Sequence, residues 1–425
     1  MSEGPLKVAL VGAGHRGVGY SSFALRNPER MKMVAVADPR ENRRNEFGQQ
    51  HGIPPEMRFA SHKELLARPK IADAVINATM DQDHYATALP LLEAGYHMLL
   101  EKPISPTENE VRGLITAAKD KNLKVMICHV LRYAPFYSRI KEVLVSGEVG
   151  DIVSMRTSEN VSYHHMAVGY IRGKWSRLDR STPMLLAKCC HDLDIIAWLM
   201  SGISPRRVSS FGGLFQFKPE NAPKGSAKRC LDGCAIESSC PYSARANYIE
   251  ADHWKFYSWE DAENLGEMTR NQKLDHMKNK SPFGRCVWHC DNDVVDHQSV
   301  LVEFANGATA THDMFTATSR PTRLIHIIGT RGEIEGDLEA GKIIVRKPAP
   351  RGNVLGFDER TEDVLVKGDS HGGGDAKLVA DFVSVVRGEE ASLGATRIED
   401  SLNGHLLAFG SDVAMNEGRV VVIKG

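Results

Sequence analysis

Gly12-Ala13-Gly14-His15-Arg16-Gly17 follows the apolar run Val8-Ala9-Leu10-Val11 without a break. A short apolar run of this kind reads as a buried parallel strand, and a glycine turn that opens a helix directly behind it is suited to hold a pyrophosphate. Gly12 permits the tight turn, Gly14 lets phosphates approach the backbone, and Gly17 lets the helix pack on the strand. The helix N-terminus adds its amides and the positive end of its dipole. The next apolar strand ends at Asp38, where a carboxylate hydrogen-bonds an adenosine ribose and repels a 2′-phosphate. NAD is therefore expected ahead of NADP, with Arg40, Arg43 and Arg44 as the groups that would instead receive that phosphate. Further along, Leu99-Leu100-Glu101-Lys102-Pro103 delivers a lysine to the carboxyl end of an apolar strand, the rim where an open α/β sheet binds its ligand. A lysine there can donate to a reacting oxygen or join a proton relay. On one helix, Lys188, His191 and Asp192 share a face by i+3 and i+4 spacing and form a candidate acid–base set; the plainer alternative is an intrahelical Lys188–Asp192 ion pair.

These residues require a scaffold, and the alternation of patterns supplies one. Helices are expected over 16–26, 41–51, 83–94 and 107–121, with a short one after the N-cap Ser61, and strands over 33–37, 74–77, 96–100 and 124–128. Gly95 sits where the third of these helices would close on a left-handed residue. Strand–helix alternation implies a doubly wound parallel sheet with right-handed crossovers over residues 1–130. Asn77, Thr79, His84, Lys102 and His129 then fall on its C-terminal rim. Beyond it, residues 131–425 read as an α+β domain with a second, mostly antiparallel sheet. The alternating runs 299–304, 308–315, 324–329, 333–338 and 342–346 suggest a meander, after a strand over 152–161. A helix over 376–387 would take Asp375 as its N-cap.

Gly12–Gly17, Asp38, Ala78-Thr79 with His84, Glu101-Lys102-Pro103, and His129 through Arg132-Tyr133 together resemble the glucose–fructose oxidoreductase/inositol dehydrogenase/MocA (Gfo/Idh/MocA) family. The resemblance runs on through Glu148-Val149-Gly150 and Gly329-Thr330-Arg331-Gly332 and excludes only residues 218–293. It implies a Rossmann domain joined to an α/β domain with a large open sheet, whose face would form a homo-oligomer, dimer or tetramer. It further implies NAD(P)-dependent hydride transfer at a carbinol carbon of a sugar, inositol or related polyol. The implied cofactor contacts are Gly12, Gly14, His15, Arg16, Gly17, Asp38, Thr79, His84, Glu101 and Lys102, with Lys102 beside the reacting carbon. In the family, the helix after Thr182-Pro183 carries an Asp four residues before a His; here His191 matches the His, while the Asp position is Ala187, with Lys188 as the nearest polar replacement. Lys102, His191 and Lys188 are thus the catalytic candidates, and Tyr133, His164 and His371 join them as candidates for substrate contact. Tyr163, His165, Arg172 and Trp175 are further polar or aromatic side chains suited to a carbohydrate pocket.

Residues 218–293 have a different character, broken by Pro219, Pro223, Gly225 and Gly233 and holding five of the eight cysteines. Cys230, Cys234 and Cys240, spaced Cys-x3-Cys-x5-Cys, form a candidate structural zinc site, with Cys286 and Cys290 as further thiols; reduced packing cysteines are the alternative. The chain is 42% hydrophobic and 25% charged with net charge −1, which disfavours nucleic acid and anionic membrane as partners. No apolar run long enough to span a bilayer and no leader pattern is present, so the cytoplasm is the expected compartment. A net sugar or polyol dehydrogenase is the leading reading. A glycosidase that retains NAD and works by transient C3 oxidation and elimination is the alternative, suggested by Ala187 and by the His371-Gly372-Gly373-Gly374 loop.

Overall fold

The computed structural model describes residues 4–262, 268–352, 354–365 and 373–424. The first sheet contains β1 (Leu6–Val11), β2 (Met31–Ala37), β3 (Arg58–Phe59), β4 (Ala74–Asn77), β5 (His97–Leu100) and β6 (Val125–Ile127). They lie in the order β3-β2-β1-β4-β5-β6, and all pairs are parallel. Winding therefore reverses between β1 and β4, and the crevice opens at that switch point. The strands have apolar residues on both faces because helices cover both: Val8, Leu10 and Ile76 pack on one side, Ala9, Val75 and Met98 on the other. Local capping follows the sequence. Ser61 accepts from Glu64 N–H at 3.3 Å, and Thr107 accepts from Glu110 N–H to open helix Glu108–Asp120.

The second sheet contains β7 (Ile152–Ser162), β8 (Pro205–Gly213), β9 (His297–Phe304), β10 (Thr309–Thr318), β11 (Thr322–Gly329), β12 (Glu333–Asp337), β13 (Lys342–Pro348), β14 (Phe357–Asp363) and β15 (Val421–Val422). Its order is β14-β13-β12-β11-β7-β10-β9-β8-β15. The expected plain meander is corrected here: β7 inserts between β10 and β11 and runs parallel to β10, although every other pair is antiparallel. Sequence adjacency of β10 and β11 hid this, because alternation reports which face is buried and not which neighbour is paired. The helix expected over 376–387 spans Gly374–Arg387 with Gly373 as its N-cap at φ +83°. Asp375 is thus not the cap; it lies in the first turn and pairs with Arg16. Among the described residues, no helix is long and apolar enough to cross a membrane.

Helix Met184–Leu199 lies between the two sheets and is buried almost all round. It touches helix Leu402–Glu417 so closely that a Cβ on Gly404 would sit 2.9 Å from Asp194 Cα. Asp194 in turn receives both arms of a wholly buried Arg132, from Nε at 2.7 Å and Nη2 at 2.5 Å. Arg132 also donates to the Ala395 and Asp400 carbonyls, which ties the end of the first sheet to the C-terminal segment. Removing one member strands a buried charge. Asp194→Asn should therefore destabilise the protein by about 3–5 kcal/mol, read as a lowered urea midpoint, and an unchanged midpoint would contradict this role.

Candidate active site

At the cofactor end, the glycine turn meets β4 so tightly that side chains are excluded. Gly12 has φ +90°, and a Cβ there would lie 2.5 Å from Ala78 O. A Cβ on Gly14 would meet only the Arg43 guanidinium, at 3.9 Å, so this stretch of backbone faces the open crevice. Asp38, at the end of β2, is buried, with Oδ2 accepting from Ala13 N–H and Oδ1 from Arg40 N–H, both at 2.8 Å. A backbone cradle with a fixed carboxylate beside it is the donor and acceptor set a dinucleotide requires. Both line a crevice of about 800 Å³.

The same crevice runs on to the rim lysine. Lys102 donates from Nζ to Ala187 O at 3.0 Å, so a main-chain carbonyl of helix Met184–Leu199 anchors it. Burial alone would lower the Lys102 pKa, but the neighbouring Cys190, Glu101 and Asp81 outweigh it and raise the value above its ordinary one. Lys102 stays an ammonium and acts as a donor. The turn that carries it is fixed from three directions. Glu101 accepts Lys102 N–H at 2.6 Å, Arg16 Nε at 3.2 Å and Tyr20 OH at 2.8 Å; His84 Nδ1 contacts Pro103 O at 2.6 Å; His405 Nε2 accepts Ile104 N–H at 2.9 Å. His191 and Lys188 line the crevice from helix Met184–Leu199.

The predicted acid–base set is wired differently from either expectation. Lys188 reaches β7 and pairs with Glu159 at 3.0 Å, while Asp192 pairs with Arg323 of β11 at 2.9 Å. Arg323 also holds Glu159, at 2.6 Å, so Lys188, Glu159, Arg323 and Asp192 form one buried network, and the intrahelical Lys188–Asp192 pair is not formed. Sequence reading missed Glu159 and Arg323. The signal was available: Glu159 shares its inward phase with Met155 and Val161, and Arg323 shares its own with Ile325 and Ile327, so each is a charge on a core-facing position.

Thr79 and His15 also line the crevice, His15 with its ring stacked on Phe256 at 4.3 Å. Arg16 is there too, but its guanidinium is engaged by Glu101 and by both oxygens of Asp375, at 2.9 Å each. His84 is wholly buried between the Thr79 and Pro103 carbonyls and so positions the rim turns instead of facing the opening. Tyr133 is not brought to the crevice; its ring packs in the core of the first sheet and its hydroxyl donates to Asp381 at 2.8 Å. Of the adjacent histidines, His165 faces the opening, stacked on Trp254 at 4.1 Å, whereas His164 turns away and accepts from Trp254 Nε1 at 2.6 Å. Burial, with Lys188 and Arg323 nearby, holds the His165 pKa well below its ordinary value, so its ring is neutral. His371 lies outside the described residues. Cys230, Cys234 and Cys240 line one small cavity remote from this crevice, joined by Cys286. The aromatic wall of Trp254, Phe256 and Tyr257 comes from the insertion, which carried no short-range motif for it.

A two-sheet oxidoreductase with a dinucleotide crevice is the class this arrangement defines. Residues 6–129 match the description "Oxidoreductase family, NAD-binding Rossmann fold" and residues 141–397 match "Oxidoreductase family, C-terminal alpha/beta domain". The chain belongs to the Gfo/Idh/MocA oxidoreductase family, as the motifs suggested, and is an NAD-binding enzyme. It is 24% identical over 343 residues to YteT of Bacillus subtilis, named as an oxidoreductase, covering 77% of this chain and 76% of that protein. It is 33% identical over 185 residues to the trans-1,2-dihydrobenzene-1,2-diol dehydrogenase of Mus musculus, covering 44% of this chain and 53% of that one. In fold it is similar to levoglucosan dehydrogenase in complex with NADH and levoglucosan, with TM-score 0.71, 17% identity and coverage of 99% and 100%.

His405 makes the rim turn sensitive to acid. Its Nε2 accepts an N–H and its Nδ1 donates to Ser401 O at 3.0 Å, an arrangement only the neutral ring can make. Burial, with His84 close by, pushes its pKa down to about 4. A depressed histidine pKa means that the unfolded chain binds more protons between the two values, so stability is full above pH ~6.5 and falls as pH drops toward about 4. This group should contribute roughly 3 kcal/mol of that loss, and urea titrations across the window should show a shallower fall for His405→Gln. An equally steep fall in the variant would contradict the assignment.

Proposed function

We propose that this protein is an NAD-dependent dehydrogenase acting at a carbinol carbon of a sugar, inositol or related ring polyol. The observation that carries the reading is that Lys102, His191 and Lys188 line the same crevice as the glycine turn and Asp38. NAD supplies the acceptor for the hydride that leaves the carbinol carbon. Lys102, anchored on Ala187 O, has ammonium protons left to donate to the reacting oxygen. His191 holds the hydroxyl proton at a ring nitrogen as the carbonyl forms. Lys188, steered by Glu159, binds a neighbouring hydroxyl. His165, Trp175 and Tyr257 exclude water and offer flat faces to the C–H surface of a ring. Asp38, with both oxygens fixed by main-chain N–H groups, favours the ribose hydroxyls of NAD over the 2′-phosphate of NADP.

A residue 1–130 cofactor domain and a residue 131–425 substrate domain fit this division of labour. Exposed Phe211, Leu301, Phe315 and Leu324 share the outward face of the second sheet by register and support a homo-oligomer through it. Names of the relatives favour net dehydrogenation over glycoside cleavage. Screening free sugars, inositols and aryl glycosides with NAD should show NADH accumulating with at least one free polyol. Lys102→Met should lower that turnover roughly 100-fold or more while NAD still binds. Wild-type turnover in the variant, or glycoside cleavage on catalytic NAD without oxidation of any free polyol, would overturn the reading.

A further inference from the structure

Two clusters of metal-ligating side chains stand outside the cofactor end of the crevice. Ligand atoms of Cys189, Asp192 and His312 lie within 4.8 Å of one another, but Asp192 is already paired with Arg323, and Lys188 stands on the same network. With its one carboxylate already engaged, that cluster has only one thiol and one imidazole left to offer a metal ion. The other cluster lies in the 218–293 insertion. We propose that Cys230, Cys234, Cys240 and Cys286 bind one zinc ion that staples this insertion in place.

Four thiols surround one cavity of about 10 Å³, room for a single water-sized sphere, and no cysteine of the described chain is in a disulfide. They come from three segments that the backbone holds together: Arg229 and Arg285 form an isolated bridge, Cys230 N–H donates to Gly284 O, and Cys286 N–H donates to Lys228 O, both at 2.9 Å. The buried Arg172 guanidinium donates to Cys230 Sγ at 3.4 Å and offsets part of the negative charge of four thiolates. Cys290 is excluded, since it does not line this cavity. No three of the four sulfurs lie within 4.8 Å of one another, so binding draws them inward by side-chain rotation onto Zn–S bonds of about 2.3 Å.

The staple has work to do. The insertion's own core cluster is six buried residues, among them Tyr248, Trp259 and Phe283, packed with Val168, and its elements are mostly single turns. Yet it must hold Trp254 on His165 and Phe256 on His15, and Glu260 O on Arg40 at 2.8 Å, across the crevice. A tetrathiolate site supplies order that so small a core does not.

Elemental analysis of the full chain purified without added metal should find close to one zinc per chain. Cys240→Ser and Cys286→Ser should each lower it severalfold, and Cys290→Ser should not. Removing the metal from wild-type protein should speed hydrogen exchange at least tenfold within residues 218–293 and leave the first sheet unchanged. These readouts do not depend on substrate or NAD. Wild-type protein without zinc, iron with sulfide in its place, or zinc retained by the Cys286→Ser variant would overturn the proposal.

Discussion

The buried Arg132–Asp194 pair is the constraint on which the rest of the crevice depends. Two charges taken out of water cost several kcal/mol each unless their geometry and remaining hydrogen bonds are nearly complete, and here they are. Completing them fixes the rotation and register of helix Met184–Leu199 against the end of the first sheet. Within the two turns before Asp194 on that helix, His191 and Lys188 then line the crevice together with Lys102, and Ala187 presents the carbonyl that Lys102 needs. From the other side, Arg323 holds Asp192 and Glu159, so the helix is clamped between both sheets by charge as well as by apolar packing.

The rim is equally a product of distant chain. Arg16, in the first helix after the glycine turn, is held by Asp375, and Ile104 behind the rim lysine is held by His405. Chain from Asp375 onward therefore completes a rim whose glycine turn and lysine both lie before residue 104. An ammonium at Lys102 is the chemical result: burial lowers its pKa, and Cys190, Glu101 and Asp81 outweigh that and raise it.

Most of the first sheet was legible because its strands are short apolar runs bounded by helix caps and glycines. Ala74–Asn77 falls where it was expected, and Tyr96 alone separates the expected and observed starts of β5. Motif residues with local geometry, such as Gly12 and Asp38, were legible for the same reason. Contacts that depend on which strands meet were not. Glu159 and Arg323 become partners only because β7 lies beside β11, and no spacing within either strand says so. Of the two adjacent histidines expected near the pocket, only His165 lines it, because neighbours at a strand end differ only in the turn that follows. Tyr133 has the polar-aromatic character of a pocket residue, but its hydroxyl is satisfied by Asp381 inside the core, a contact no local spacing shows.

In the proposed reaction, one crevice brings a carbinol carbon to the nicotinamide and keeps the hydride there. Deuterium placed on the carbinol carbon of a substrate tests it most directly, with the reduced cofactor analysed by mass after each turnover. One deuterium in NADH is expected for each molecule of ketone formed, with no exchange of neighbouring C–H positions into solvent. Deuterium returned to the carbon product, with solvent hydrogen appearing at the adjacent carbon and no net NADH, would contradict it.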